Sequence, residues 1–202
     1  MTLLETYNNI YSKTHTNFQP PLAPFIKDIL LYKKNGVVAD IGAGRGQNAV
    51  FLGEKGFEVD ALDFSEESVK RIKEMTNQIP SITAKEFDVK KSTLEKDYDV
   101  ILCNFTLHHF NKSERDGFFS EIKKHTKNDG LNLISALVSV DGTGAVKHDD
   151  VDIFYLQAGE LKNIYSDWEI LKFKQEKDET TNPKTGETEI DFLEFILAKK
   201  HH

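Results

Sequence analysis

The chain has 202 residues, 39% hydrophobic and 29% charged, with a net charge of −7, which fits one domain with a proper core and excludes an intrinsically disordered polymer. No apolar run reaches the roughly 18 residues needed to cross a bilayer, and the N-terminus lacks the basic start and apolar stretch of a signal peptide. The acidity, with Lys and Arg scattered as pairs such as Lys90-Lys91, disfavours a nucleic-acid partner, and a lone Cys103 suits a cytoplasmic protein, monomeric or homodimeric.

The first 21 residues, polar and ending in Pro20-Pro21, are expected to form an N-terminal lid carrying Tyr7, Tyr11 and His15; a plain surface helix is the alternative. Leu22 to Tyr32 has helical spacing, with Phe25, Ile26, Ile29 and Leu30 on one side. Gly36 ends it, and Val37 to Ile41 reads as a short buried strand. Asn48 to Lys55 is helical and stops at Gly56; Phe57 to Leu62 is a second strand. Ser65 can cap a helix to about Gln78, with Glu66 and Glu67 well placed in its first turn.

Ile82 to Phe87 and Tyr98 to Asn104 follow as strands, and Ser113 is a candidate cap for a helix from Glu114 to Thr126. Asp129-Gly130 reads as a turn before the β-rich run Leu131 to Val140. Asp141 to Gln157 reads as an irregular acceptor-side loop, with Phe154 and Tyr155 as wall contacts or loop anchors. A helix from Gly159 to Tyr165 precedes two strands, Trp168 to Lys174 and Ile190 to Ala198, joined by a polar turn. Strands alternating with helices predict an α/β fold, a Rossmann-like, mostly parallel sheet of seven strands with helices on both faces. The final pair, with only a turn between, predicts an antiparallel hairpin at its end.

Chemistry concentrates in Val37 to Leu52, V-V-A-D-I-G-A-G-R-G-Q-N-A-V-F-L. A strand ending in Asp40 runs into a turn holding Gly42, Ala43, Gly44 and Gly46, then a helix containing Asn48. Such a turn lets a ligand approach the backbone at the carboxyl end of the strand. A dinucleotide site reads G-x-G-x-x-G, whereas this turn reads G-x-G-x-G behind a carboxylate. Asp40 would repel a pyrophosphate but help hold an ammonium, implying a cofactor with an amino-acid end and no phosphate. Asp63, about twenty residues on, is placed to grip ribose hydroxyls. Phe64 either covers an adenine face or belongs to the core.

With D-I-G-A-G-R-G, Asp63, Asp88 in E-F-D-V, and Y-D-V-I-L-C-N before a helix, the chain resembles the class I S-adenosylmethionine-dependent methyltransferases from about Leu22 to Ala198. The resemblance implies that Gly42, Gly44 and Gly46 line the methionine part of S-adenosylmethionine and that Asp63 binds ribose. It further implies that Asp88 with Val89 meets the adenine, and that Asn104, Phe105, Thr106 and Leu107 border the methyl acceptor. The same family ends its sheet in an antiparallel hairpin. A narrower likeness, to bacterial tellurite-resistance methyltransferases, rests on Arg45, Asn48 and Leu52, on Gly159-Glu160-Leu161 through Tyr165, and on the last two strands. Family members proposed to handle the oxyanion carry a His-Arg pair and a further Arg where this chain has Thr180, Thr181 and Thr188. Without those cations a tellurite-like anion loses its anchors.

The expected activity is methyl transfer to a small molecule, a metalloid oxyanion or a thiol among the candidates. Binding and orientation do most of the work, since the cofactor carries the activation. If a general base is needed, the candidates are Tyr11, His15 and His108, with His109 and His148 behind them. Packing or capping is the competing role for the histidines. Cys103 reads as a small buried residue, and no metal site is expected. The rival functions are a non-catalytic cofactor-binding protein and a nicotinamide-dependent oxidoreductase.

Overall fold

The structure is a computed structural model that describes residues 2–13, 22–148, 151–181 and 188–202. An N-terminal helix α1 (Leu3–Lys13) is followed by a 3₁₀ turn at Ile26–Asp28 and one turn of helix, α2 (Ile29–Tyr32). The continuous helix expected from Leu22 is therefore shortened. Pro24 cannot donate a backbone hydrogen bond, and Phe25 takes a left-handed φ of 66° that breaks the helical run.

Parallel strands then alternate with helices: β1 (Val37–Ile41), α3 (Gln47–Glu54), β2 (Glu58–Asp63), α4 (Glu66–Met75), β3 (Ile82–Glu86), β4 (Tyr98–Cys103), α5 (Lys112–Lys124) and β5 (Thr126–Ser139). Ser65 caps α4 as its sequence suggests, its Oγ accepting from the Ser68 N–H at 3.2 Å. The α5 cap is Asn111 rather than Ser113. Asn111 Oδ1 accepts the Glu114 N–H at 3.0 Å and Glu114 Oε2 accepts the Asn111 N–H at 2.8 Å. This reciprocal box satisfies two otherwise orphan donors and starts the helix two residues early.

Asp129-Gly130 is not a turn between elements but a bulge inside β5. Asp129 has a φ of 59°, and the pairing with β4 jumps from Tyr98↔Thr126 to Val100↔Leu131. The stretch expected to be irregular holds a two-stranded antiparallel hairpin, β6 (Ala145–His148) and β7 (Val151–Phe154), and a short β8 (Leu156–Gln157). β8 pairs in parallel with β5 at Val138 and Ser139, beyond the point where β4 stops. After α6 (Glu160–Ile164) the chain closes with the long hairpin β9 (Glu169–Thr181) and β10 (Thr188–Lys199).

The sheet order is β3-β2-β1-β4-β5-β10-β9, with β8 added at the end of β5. The first five strands are parallel; β10 is antiparallel to β5, and β9 to β10. Alternate residues feed two cores. Ala39, Ile41, Ile101 and Cys103 pack with Phe118, Phe119 and Ile122 of α5 and with Tyr165 and Trp168. Val38, Val100 and Leu102 pack with Leu52 of α3 and Ile72 of α4. Strands buried on both faces read as unbroken apolar runs, which is why β1 and β4 stand out in the sequence. The order reverses at β1, between β2 and β4, and the crevice at the strand ends opens there. No helix of the described residues is long and apolar enough to cross a membrane.

Candidate active site

Three segments meet at that switch point: the glycine turn after β1, the end of β2, and the loop after β4. In the glycine turn, Gly42, Gly44 and Gly46 all have positive φ, 69°, 57° and 77°. A Cβ on Gly42 would sit 2.1 Å from Thr106 Oγ1, and one on Gly46 2.9 Å from Ile72 Cγ1. These glycines are thus demanded twice over, by backbone conformation and by the chain's own close packing. The pressure on Gly42 comes from the loop after β4, a segment distant in the chain.

Asp63 closes β2 and is 4% exposed. Its Oδ2 accepts the Gly44 N–H at 2.8 Å and its Oδ1 accepts the Ser65 N–H at 2.9 Å. Ser68 Oγ donates to the Gly44 carbonyl at 2.6 Å. Asp63 therefore braces the glycine turn, and burial raises its carboxyl above the usual range against those hydrogen bonds. Asp40 lies deeper, 1% exposed, and its Oδ2 has no partner. Burial first, then the charge of Asp63, pushes its carboxyl up to about 7, opposed by a hydrogen bond from the Ala49 backbone.

Two cavities border Gly42. One, of about 430 Å³, lies between Phe64, Asp88, Val89, Thr106 and His109. The other, of about 600 Å³, is walled by Gly44, Arg45, Asn48, Asn104, Phe105 and the β9–β10 hairpin. Ala43 belongs to the second wall and Leu107 is fully buried. Asn48 has a structural task as well: its Oδ1 accepts the Ala23 N–H at 3.0 Å and fastens the entering chain to α3. The Asp88 carboxylate is engaged locally, by the Lys90 N–H at 3.1 Å and by Lys91 Nζ at 2.8 Å. Phe105 adopts a φ of 53°, costly for a non-glycine residue, held by its N–H donating to Ser135 Oγ at 2.9 Å. Ser135 Oγ in turn donates to Asn104 Oδ1 at 2.7 Å.

Helix α1 lies across both cavities. Leu3 and Leu4 border the first and Ile10 and Tyr11 the second. Tyr7 meets Phe64 edge-on with centroids 5.6 Å apart, and its hydroxyl is 2.7 Å from His109 Nε2. Ser65 Oγ donates to Asn8 Oδ1 at 2.6 Å, and Tyr11 stands over Gly44. Tyr7 was legible only as part of the lid; its position four residues before Tyr11 puts both on one helix face. Burial pushes the Tyr7 phenol up to about 12, and Tyr11 also moves up. Burial holds His108 down to about 4 and His109 to about 3. His15, Pro20 and Pro21 lie outside the described residues, as do the side chains of His148, Thr180, Thr181 and Thr188.

Phe154 and Tyr155 do not reach the cavity beside the glycine turn. They line a separate groove with Arg115, whose Nη1 donates to the Phe110 and Tyr155 carbonyls, each at 3.3 Å. The β6–β7 hairpin packs through β7 on the 3₁₀ turn at Leu107–His109. Cys103 is fully buried and its thiol is pushed up to about 12, so it stays protonated and inert. Among the described residues no three of His, Cys, Asp and Glu cluster to hold a metal ion.

Residues 6–192 match the family described as tellurite resistance protein TehB. A probable S-adenosyl-L-methionine-dependent methyltransferase TehB of Haemophilus influenzae is 26% identical over 81% of this chain and 57% of its own length. Hemagglutinin 1 of Eikenella corrodens is 30% identical over 80% of this chain and 53% of its own. The chain thus spans little more than half the length of these relatives. The crystal structure of TehB from Haemophilus influenzae shares the fold, with a TM-score of 0.78 at 24% identity over 96% of this chain and 67% of that one. With its glycine turn, its paired acids and the match running almost end to end, the chain belongs to the TehB family.

Proposed function

We propose that this protein is an S-adenosylmethionine-dependent methyltransferase acting on a small-molecule acceptor, a metalloid oxyanion or a thiol. The observation that carries the reading is the partnerless Oδ2 of Asp40, at the foot of a glycine turn where two cavities meet. A buried carboxylate oxygen without a donor suits an ammonium, and behind a G-x-G-x-G turn it does not suit a pyrophosphate. Gly42 to Gly46 and Asp40 would hold the amino-acid end, Asp63 the ribose, and Phe64, Asp88 and Val89 the base. The net charge of −7 supports a small-molecule partner, and a single cysteine, unable to form an internal disulfide, suits a cytoplasmic setting.

When bound, the cofactor supplies a methyl group already activated on a sulfonium. The chain's part is to bind, orient and exclude water. From α1, Tyr11 roofs the glycine turn and Tyr7 packs beside it against Phe64. Their phenols stay protonated near neutral pH, while His108 and His109 stay neutral and weakly basic. None of the four is matched to removing a proton from an alcohol or ammonium. Among the described residues this favours an acceptor that brings its own nucleophilic lone pair.

Isothermal calorimetry with S-adenosylhomocysteine tests the site, and formation of S-adenosylhomocysteine in a screen of thiols and metalloid oxyanions tests the chemistry. Binding without turnover of any acceptor would favour the non-catalytic reading. Preference for a nicotinamide dinucleotide would remove the proposal.

A further inference from the structure

Behind the larger cavity, β5 places Ser135, 2% exposed, against the loop that follows β4. Its Oγ accepts the Phe105 N–H at 2.9 Å and donates to Asn104 Oδ1 at 2.7 Å. A hydroxyl has one proton to give; with the Phe105 N–H on its accepting side, that proton goes to the Asn104 carbonyl oxygen. The Asn104 amide is thereby fixed with its NH₂ group turned the other way. Among the described residues no acceptor meets that NH₂ group, and it is open rather than sealed in the interior. Asn104 and Phe105 both line the cavity, and Thr106, next in the loop, presses on Gly42, so the free donor lies at the glycine-turn end. Phe105 completes this wall. Its φ of 53° is unfavourable for a bulky residue and persists because Ser135 holds its N–H. The ring meets Phe195 edge-on with centroids 5.9 Å apart, and Leu193 lines the same cavity. One buried hydroxyl therefore sets both an aromatic face and a neutral N–H donor. Glu176 and Arg45 of this cavity already have partners, so recognition rests on the donor and the ring.

Resting on the methyltransferase reading above, we propose that Ser135 is a positioning residue for methyl transfer. The Asn104 N–H that it aims selects a flat, uncharged aromatic thiol with a lone-pair-bearing ring atom beside the sulfur. The ring lies against Phe105, Leu193 and Phe195, and the lone pair accepts from Asn104 Nδ2. One hydrogen bond and one aromatic face together fix the plane and the in-plane direction of the acceptor, which an apolar wall alone leaves free to turn. The thiol's proton goes to bulk water. The thiolate sulfur forms the new S–CH₃ bond as the donor's S–CH₃ bond breaks, and that bond's electron pair stays on the departing sulfur. A sulfonium and a thiolate become two neutral thioethers, with no oxidant or reductant involved.

Two uncharged methylated products of one shape provide the test: 2-(methylthio)quinoline, whose ring nitrogen lies beside the sulfur, and 2-(methylthio)naphthalene, which has carbon there. Each is titrated by calorimetry into the full chain saturated with S-adenosylhomocysteine. The quinoline is expected to bind about fivefold tighter, the net effect of one neutral hydrogen bond. Asn104→Asp, which replaces the NH₂ group by a second oxygen and keeps the bond from Ser135, should reverse the preference. Ser135→Ala, which frees the amide to turn, should reduce it to about twofold or less, and Ser135→Thr, which keeps the hydroxyl, should retain it. Each variant is judged by the ratio of two ligands, so a general loss of affinity cancels, and Asn104→Asp with Ser135→Thr carries the test should Ser135→Ala not fold. Equal binding of the two products, binding of neither, a preference untouched by Asn104→Asp or Ser135→Ala, or its loss in Ser135→Thr overturns the inference. Failure to bind S-adenosylhomocysteine at all instead removes the underlying reading, so the two failures are distinct.

Discussion

Replacing Asp40 by Asn tests whether the buried acid is kept for ligand binding at a cost to stability. The side chain is 1% exposed, and burial, with Asp63 adding to it, lifts its carboxyl from an ordinary 3.8 to about 7. A displacement of that size corresponds to roughly 4 kcal/mol against the ionised form. The folded chain keeps this proton over a pH range where the unfolded chain has lost it. Its contribution is therefore complete below about pH 4 and disappears as pH rises through about 7. Asp40→Asn keeps an oxygen for the Ala49 N–H but carries no charge at any pH. Between pH 5 and pH 8 the wild type should lose roughly 2–3 kcal/mol relative to the variant. For a domain of this size that is a relative fall in Tm of roughly 5–10 °C. Differential scanning calorimetry of both proteins at the two pH values, without cofactor, reads the difference directly, and other titrating groups cancel. An ammonium ligand should reverse the balance. Near pH 6.5, S-adenosylhomocysteine binding to the wild type should release a proton, visible as a dependence of the binding heat on the buffer's ionisation enthalpy. An identical Tm gap at both pH values would refute the reasoning.

Gly42→Ala places a Cβ 2.1 Å from Thr106 Oγ1 at a φ of 69°, and should destabilise the fold by roughly 2–4 kcal/mol in a urea titration. Adding Thr106→Ala should restore part of that loss, leaving the backbone strain; no restoration would show that the contact is unimportant. Asp63→Ala should weaken S-adenosylhomocysteine binding by roughly 1–3 kcal/mol through lost charge-assisted hydrogen bonds and a slackened Gly44, and unchanged affinity by calorimetry would remove its assignment to the ribose. Asn111→Ala, which opens the α5 capping box, should cost about 1 kcal/mol of stability in a urea titration, and an unmoved midpoint would show that the box contributes nothing. Tyr7→Phe should quicken S-adenosylhomocysteine release in stopped-flow chase by loosening α1 from His109, while leaving the unfolding midpoint nearly unmoved.

The parts legible in the sequence are those whose physics is local. Doubly buried strands such as Val37 to Ile41 announce themselves as apolar runs, and glycine spacing behind Asp40 separates this turn from a pyrophosphate site. Ser65 followed by two acids marks a helix start, and two strands with only a turn between mark the closing hairpin. Where a local signal has a stronger neighbour, the neighbour prevails. Ser113 is a fair cap, but Asn111 with Glu114 forms a reciprocal pair. Gly130 is a fair turn residue, but strand pairing runs on through it as a bulge. Between Asp141 and Gln157, β6 and β7 find order only against each other, and packing on the 3₁₀ turn after β4 steadies them.

By itself, then, the sequence determined the α/β alternation, the antiparallel ending and the three acids at the strand ends, because burial period, turn chemistry and helix capping act over a few residues. Only the tertiary structure decided that Thr106 presses on Gly42, that Tyr7 from α1 reaches His109 about a hundred positions away, and that Asp178 shares a wall with Phe195. It also decided the protonation of the site, since the burial that lifts Asp40 and lowers His109 comes from segments distant in the chain. Desolvation and cross-strand contact depend on what folds over a residue, and adjacency along the chain carries no record of it.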